Sequence, residues 1–466
     1  MIQFENVYFT YAATPEEQCL ENISITIEDG ECVLLTGASG CGKSTLLRLL
    51  NGLIPEFYDG ERSGKIYIDG TEISDKEIYD FVGNIGTVFQ NPRSQFFNVD
   101  TTSELAFGCE NMELPENEIL SRIDKTVSEF QIEKLMDRSI FELSGGEKQK
   151  IACASNHVLG PEIILLDEPS ANLDYEAAEN LRHIIQCWKS EGKTILIAEH
   201  RINYVFDLAD RVVVMERGKI EKDFRREELN TFTEEICREY RLRTLKRISP
   251  LQLISEQNLK ASSCDDIRLA GFHYAYQGKE PVLDIPEMHL KKSHATAIVG
   301  ANGAGKTTFL ECLCGIRKNK GLMYFNGKTY NSKARLKEIF MVMQDVNHQL
   351  FTESVLDEIL ISMPEENEEA AKRILAQVDL SDFADRHPMS LSGGQKQRVA
   401  LACAIASECS ILLLDEPTSG LDLTHMLEVV DILNALKKQG RTIITVTHDS
   451  EFIEHCCDDV IELCRQ

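Results

Sequence analysis

Two nine-residue stretches have the residue types and spacing needed to hold a chain of phosphates. Gly37, Ala38, Ser39, Gly40, Cys41, Gly42, Lys43, Ser44 and Thr45 read G-x-x-x-x-G-K-S-T, and Gly300, Ala301, Asn302, Gly303, Ala304, Gly305, Lys306, Thr307 and Thr308 repeat the pattern. Glycines at these positions let backbone N–H groups wrap an anion, and a following helix adds the positive end of its dipole. Lys43 and Lys306 would then reach the outer phosphates, and the Ser44 and Thr307 hydroxyls would bind magnesium. Two further acids complete the chemistry. Asp167 and Asp415 end the apolar runs IILLD and ILLLD, where a strand's carboxyl end can hold the magnesium shell. Glu168 and Glu416, one residue on, face the other side of the chain and could orient and deprotonate an attacking water. His200 and His448 follow the strand-like runs TILIAEH and TIITVTH at one common offset from those acids. A Gly-rich turn, an Asp-Glu-Pro turn and a polar strand end are the plain alternatives for each motif alone.

These residues need strands that end at the acids and helices that begin at the glycines, and the chain supplies both twice. LSGGEKQ (Leu143 to Gln149) recurs as LSGGQKQ (Leu391 to Gln397). Ser144 to Asp167 spans 23 positions, as does Ser392 to Asp415; Glu168 to His200 spans 32, as does Glu416 to His448; Tyr11 to Gly37 and Tyr274 to Gly300 both span 26. Matching intervals mean duplicated domains. Ser144 to Glu147 and Ser392 to Gln395 carry the S-x-x-[EQ] spacing of a capping box, so each marks a helix start whose free N–H groups suit an anion. Short β-rich runs (CVLL, IILL, TILIA, RVVVM) alternate with helical patterns, predicting α/β domains with mostly parallel sheets. The expected boundaries are 1–248 for the first copy, 249–263 for a polar linker and 264–466 for the second, with a charged helical stretch over Glu234 to Arg247 closing the first.

Composition narrows the partners. With 49 Lys plus Arg against 76 Asp plus Glu, the formal charge of the 466 residues is 49 − 76 = −27, which disfavours nucleic acid and anionic lipid. No apolar run approaches the roughly 18 residues of a membrane span, and the MIQFENVYFT start has no signal-peptide character, so a cytosolic location is expected. The 15 cysteines are scattered among apolar stretches without a C-x-x-C pair and read as reduced thiols, not as a zinc site or disulfides.

The motifs together resemble the nucleotide-binding domains of ATP-binding cassette proteins, over nearly all of both halves. That resemblance implies ATP and Mg²⁺ as cofactors, hydrolysis of ATP, and in each domain a parallel core sheet, an antiparallel β subdomain and a helical subdomain. It further implies a head-to-tail dimer. One site would combine Gly37 to Thr45, Gln90, Asp167, Glu168 and His200 with Ser392, Gly393 and Gly394. The other would combine Gly300 to Thr308, Gln344, Asp415, Glu416 and His448 with Ser144, Gly145 and Gly146. By the same resemblance Gln90 and Gln344 join the magnesium ligands, His200 and His448 contact the γ phosphate, and Asp174 and Asp422 lie in loops coupling the sites. Tyr11 and Tyr274 match the adenine-stacking aromatic, with Tyr276 a rival in the second half and a core strand tyrosine the plain alternative. Both sites are expected to hydrolyse ATP, although Glu147 and Lys150 depart from their counterparts Gln395 and Arg398. Cys41 is either an oxidation-sensitive thiol or a small harmless residue.

A second glutamine follows each of Gln90 and Gln344 by five positions, Gln95 in QNPRSQFF and Gln349 in QDVNHQLF. With NGLIPEFYDGERSG (Asn51 to Gly64), these resemble the ATPases of energy-coupling factor importers. The resemblance implies a transmembrane coupling protein and a small membrane substrate-binding subunit as partners, a peripheral place on the cytoplasmic face of the plasma membrane, and a vitamin, vitamin precursor or metal ion as cargo. Asp100 and Glu104 in one half, and Glu353 and Asp357 in the other, are candidates to line grooves for the partner's arginines; solvated acids at a helix start are the alternative. A sugar importer's tandem ATPase and a soluble translation factor share the layout. The latter would carry an interdomain hairpin of about 80 residues, more than the stretch from Lys222 to Asp265 holds.

Overall fold

Continuous apolar runs such as VLLT and IILLD belong to strands buried on both faces, and the computed structural model places them so. It describes residues 1–466 except Pro15, Glu17, Ser74, Asp75, Asn172, 255–265, 277–279 and the last two. The chain divides into two compact units, Met1–Arg247 with Asp422–Thr424, and Ile248–Leu421 with His425–Gln466.

In the first unit a six-stranded sheet runs in the order Lys219–Arg225, Arg211–Glu216, Cys32–Gly37, Thr194–Ala198, Ile163–Asp167, Ile85–Val88. Its pairings are parallel except at Lys219–Arg225. Alternate residues serve opposite cores: Cys32, Leu34, Ile164 and Leu166 face a cluster around Trp188, whereas Val33, Leu35, Ile163 and Leu165 face one with the helix Lys43–Leu50. A separate antiparallel sheet pairs Ile2–Tyr11 with Leu20–Ile27 and Gly60–Ile68. The second unit repeats the plan. Its parallel core sheet has the order Ile339–Val342, Ile411–Asp415, Thr442–Val446, Ala295–Val299, Asp459–Glu462, and its antiparallel sheet pairs Ile267–Ala275 with Pro281–Leu290 and Leu322–Phe325. Helical subdomains are built on Thr101–Asn111, Glu116–Phe130 and Gly145–Leu159 in one unit, and on Val355–Ser362, Glu368–Gln377 and Gly393–Ala406 in the other.

The tail of the first unit is less helical than its charge pattern predicts. Only Glu234–Glu239 is helix, because Arg241 turns left-handed (φ 54°) and the Glu234 side chain accepts from Thr244 Oγ1 and Leu245 N at 2.9 and 2.8 Å, folding the chain back. Within the expected linker, Pro250–Leu253 forms a 3-10 turn, and Leu253 and Ile254 pack on Ala297, Val299, Ile453 and Val460; its remainder, 255–263, lies outside the described residues. The described cysteines are all free thiols, most of them buried.

A histidine on the helix Gly145–Leu159 sets a pH limit on the first unit. Buried His157 accepts from the Trp188 indole at Nδ1 (3.0 Å) and donates from Nε2 to Glu129 (3.0 Å), with Glu191 at 3.8 Å and Lys125 beside both acids. With the indole on the Nδ1 lone pair and the Nε2 proton directed at Glu129, neither ring nitrogen has a lone pair to offer a metal, and Trp188, His157 and Glu129 form a hydrogen-bonded chain. Burial lowers the His157 pKa, and the neighbouring acids only partly offset it. A folded-state value below the unfolded one means that the unfolded chain binds more protons, so stability falls as pH drops below about 6.5. His157→Gln is expected to flatten the loss of melting temperature between pH 7.5 and 5.5 relative to the parent.

Candidate functional site

Each phosphate loop joins a buried strand to a helix whose first N–H groups have no side-chain cap. Gly37 (φ 139°) and Gly300 (φ 149°) stand where a Cβ would come 2.0 Å from the Met215 carbonyl and 2.4 Å from that of Leu463, so no side chain fits. Lys43 Nζ donates to the Gly37 and Ala38 carbonyls at 3.1 and 3.0 Å, and Lys306 to those of Gly300 and Ala301 at 2.9 and 3.0 Å. Each ammonium is thus held by carbonyls of its own loop. Cys41 is buried 3.7 Å from Lys43 Nζ, and burial pushes its thiol up despite that charge. The thiolate that oxidation requires is therefore disfavoured, in keeping with a small packing residue.

Ser44 Oγ donates to Asp167 Oδ1 at 2.6 Å, and Thr307 hydrogen-bonds Asp415. Burial raises the Asp167 pKa against the pull of Ser44, with Glu168 raising it further and Arg48 and Lys43 lowering it. Burial drives Asp415 up to about 6, where the Thr307 hydrogen bond and Lys306 oppose it and Glu311 adds to it. A hydroxyl and a desolvated carboxylate side by side in each unit make a hard-oxygen donor pair that suits magnesium.

Both glutamates leave their strands in the left-handed region, Glu168 at φ 44° and Glu416 at φ 49°. Such backbone costs of order 1–3 kcal/mol and persists only where the surroundings impose it. Here it turns the carboxylates towards the histidines. His200 Nε2 lies 3.2 Å from Glu168 Oε1, 3.4 Å from Lys43 Nζ and 3.5 Å from Ser39 Oγ; Gln90 Nε2 donates to Glu168 Oε2 at 2.7 Å. In the second unit His448 Nε2 is 3.6 Å from Glu416 Oε1, and His448 N donates to Glu416 Oε2 at 3.3 Å. Burial alone would raise Glu168, but the hydrogen bond and charge of His200, with Lys43, hold it below the ordinary carboxylate value. Each unit therefore brings lysine, hydroxyl, aspartate, glutamate and histidine to the carboxyl end of one sheet.

Ser144 and Ser392 cap their helices through complete capping boxes. Ser144 N donates to Glu147 (2.7 Å) and Glu147 N to Ser144 Oγ (3.3 Å); Ser392 N donates to Gln395 (2.9 Å) and Gln395 N to Ser392 Oγ (3.3 Å). Glu147 performs this role as well as a glutamine does and also pairs with Arg138 at 3.2 Å. Gly145 and Gly393 have ordinary backbone angles, and a Cβ on either would meet no atom within 4 Å. Asp174 caps Tyr175–Ser190 by accepting from Ala177 N at 2.7 Å, and Asp422 is a buried residue just before Leu423–Lys438.

At the aromatic end, equal counting does not select equivalent tyrosines. Tyr11 Oη lies 2.9 Å from Thr45 Oγ1, and the matching bond in the second unit, 3.1 Å to Thr308 Oγ1, comes from Tyr276 and not Tyr274. Ile267 pairs with Leu290 as Ile2 pairs with Ile27, and 290 − 267 = 23 is two fewer than 27 − 2 = 25, so the shorter second hairpin moves the equivalent ring two residues on. Arg48 donates to Tyr11 (3.1 Å) and lies over the Tyr58 ring, whereas Arg317 lies over both Tyr274 and Tyr276.

The second glutamines act within their own loops. Gln95 donates to the Thr87 carbonyl (2.9 Å) and accepts from Phe89 N (3.3 Å); Gln349 donates to Met341 (3.1 Å) and accepts from Met343 N (3.2 Å). The acids divide differently from expectation. Glu104 is only 4% exposed and accepts from Phe97 N and Asn98 N at 3.1 and 2.8 Å, so it braces the loop and is not free for a partner's arginine. Its counterpart is Glu358, which accepts from Phe351 N and Thr352 N, and not Asp357, which with Glu353 is exposed. Asp100 caps its helix by accepting from Ser103 N at 2.9 Å.

The arrangement is that of a cassette built around a phosphate loop, and solved structures share it along the whole chain. A model of ribosome-bound archaeal Pelota and ABCE1 superposes with a TM-score of 0.68 at 23% identity, covering 98% of this chain and 76% of that one, a likeness of fold alone. The family model described as ABC transporter matches residues 20–171 and 283–419. A Treponema denticola protein named "Putative ABC transporter ATP-binding protein" is 44% identical over 99% of this chain and 95% of its own length. The Bacillus subtilis "Putative HMP/thiamine import ATP-binding protein YkoD" is 32% identical over 99% of this chain and 90% of its own. The chain belongs to the ABC transporter family. It carries two ATP-binding cassettes in tandem and is an ATPase, the ATP-binding subunit of an ABC transporter, and no described helix is long and apolar enough to cross a membrane.

Proposed function

We propose that this subunit powers an importer of energy-coupling factor type, hydrolysing ATP at two sites to drive uptake of a vitamin, vitamin precursor or metal ion. Its partners are a transmembrane coupling protein and a membrane substrate-binding subunit, and it works at the cytoplasmic face of the membrane. The observation that carries this reading is the full-length relationship to a protein named for HMP/thiamine import. The paired-glutamine loops of both cassettes add to it.

Glu168 and Glu416 orient and deprotonate the attacking water, and His200 and His448 hold those carboxylates and meet the γ phosphate. Lys43 and Lys306 exchange their loop carbonyls for phosphate oxygens. Ser44, Asp167 and Gln90, and Thr307, Asp415 and Gln344, would hold magnesium, which when bound neutralises phosphate charge. Tyr11 in the first cassette, and Tyr274 or Tyr276 in the second, stack on adenine. Head-to-tail closure would add Ser392, Gly393 and Gly394 to the first site and Ser144, Gly145 and Gly146 to the second, with Asp174 and Asp422 coupling the two.

The glutamine-held loops supply a candidate docking surface. Phe97 and Phe351, two residues after Gln95 and Gln349, are 77% and 73% exposed. Beside Phe351 a groove of about 570 Å³ is lined by Leu336, Ile339, Phe340, Ile361 and Met363. An exposed ring beside an apolar groove, in a half where Glu353 and Asp357 are also exposed, suits a partner helix that carries apolar residues and arginine. Phe97→Asp with Phe351→Asp is expected to abolish co-purification with the membrane partners while ATP turnover of the isolated chain stays within about twofold, because neither ring touches the phosphate loops. The cargo is tested by co-expressing those partners and identifying by mass spectrometry the small molecule that co-purifies. A sugar there, or ribosomal association without any membrane partner, would replace this reading.

A further inference from the structure

We infer that Glu199 and Asp449 are positioning residues for hydrolysis, each tying the end of the histidine's strand to the segment that follows the catalytic glutamate. In the first cassette Glu199, 2% exposed, directly precedes His200. Its Oε2 accepts from Ser170 Oγ (2.7 Å), Ser170 N (3.3 Å) and Tyr204 Oη (3.1 Å), and its Oε1 from His200 N (2.8 Å) and Arg201 N (3.1 Å). One carboxylate thus binds five donors and clamps the histidine's backbone to Ser170, two residues beyond Glu168.

In the second cassette that position is Thr447, which has no carboxylate. The link survives with its acid moved across the histidine: Asp449, directly after His448, accepts from Thr418 Oγ1 at 2.8 Å, two residues beyond Glu416. Asp449 also caps the helix Ser450–Cys456 through Phe452 N (3.2 Å), and its own N–H donates to Thr447 Oγ1 (3.1 Å). The two copies therefore join the same two segments with a carboxylate and a hydroxyl while drawing the carboxylate from opposite sides of the histidine. Packing alone does not require an ion there, since a buried carboxylate is costly unless its hydrogen bonds are filled. The acid is matched to the hydroxyl it holds. It acts through the Glu–His pair, whose separations of 3.2 and 3.6 Å depend on where the two segments lie.

This inference rests on the roles given above to the glutamates and histidines, and the experiment separates the two. In the full-length chain, Glu199→Thr and Asp449→Ala are each expected to lower kcat at least about twofold, and together about 10- to 100-fold, with KM for ATP within about twofold of the parent because the phosphate loops are untouched. Adding Arg201→Asp to Glu199→Thr rebuilds in the first cassette the arrangement of the second and is expected to return kcat to near the parent value. Parental kcat in the Glu199→Thr/Asp449→Ala chain overturns the inference. So does a loss that Arg201→Asp fails to recover in a chain whose melting temperature is parental. His200→Ala with His448→Ala is the control: if that chain turns over normally the histidine assignment fails, and if it is inactive while the acid variants are active only the positioning role fails.

Discussion

A chain carrying Glu168→Gln and Glu416→Gln is expected to hydrolyse ATP about 10²- to 10⁴-fold more slowly than the parent, the range lost when a positioned general base is removed. Its affinity for ATP should be retained. Glutamine has the same shape but one acceptor oxygen in place of two. At Glu168 both are in use, Oε2 by Gln90 and Oε1 facing His200, so the amide would set an N–H₂ against one of two donors and could not take a proton from water. The lysine, the hydroxyls and the loop N–H groups that hold phosphate are unchanged, and left-handed backbone is no harder for glutamine than for glutamate. Turnover measured by phosphate release and binding measured by equilibrium titration should therefore separate by at least about 2.7 kcal/mol in their responses, the equivalent of 100-fold. Parental turnover in this variant would remove the glutamates from the mechanism. Either single variant should keep a fraction of the rate, and the size of each fraction measures how unequal the sites are.

What could be read before the structure was whatever is encoded by local spacing. A phosphate loop needs particular glycines a fixed distance from a lysine, and a capping box needs its serine three residues before its acid or amide, so both show in a linear pattern. The strands ending at Asp167 and Asp415 were equally visible as apolar runs. Contacts assembled from distant segments were not. Glu199 and Asp449 perform one task from different sequence positions, so aligning the halves hides the equivalence. Tyr276, and not Tyr274, makes the hydroxyl contact that Tyr11 makes, because the second hairpin is two residues shorter and breaks the count. Glu358, and not the neighbouring Asp357, turns inward, and only the backbone direction at Phe351 and Thr352 shows which of the two acids does so. The left-handed turn at both glutamates had no signal, since Asp-Glu-Pro is compatible with ordinary backbone.

Gly145 and Gly393 give the second large effect, and the reasoning begins from what they do not do. A glycine is required by the fold where φ is positive or where a neighbour is too close for Cβ, as at the buried Gly37 and Gly300, whereas Gly145 and Gly393 are exposed. They meet neither condition. Each begins a helix, where alanine is favoured over glycine by up to about 1 kcal/mol. For the isolated chain, then, Gly145→Ala with Gly393→Ala should leave the melting temperature unchanged or raise it slightly. The open space above each residue lies at a capped helix start whose N–H groups favour an anion, and a methyl group there obstructs whatever approaches. If that is the γ phosphate held by the opposite cassette, the double variant loses about 10-fold or more of its turnover through steric exclusion, by the sensitivity of such geometry to displacements near 1 Å. A stable chain with impaired hydrolysis is the expected pairing. Parental turnover would mean that these helix starts never meet nucleotide, and a lowered melting temperature would mean that the glycines serve the fold after all.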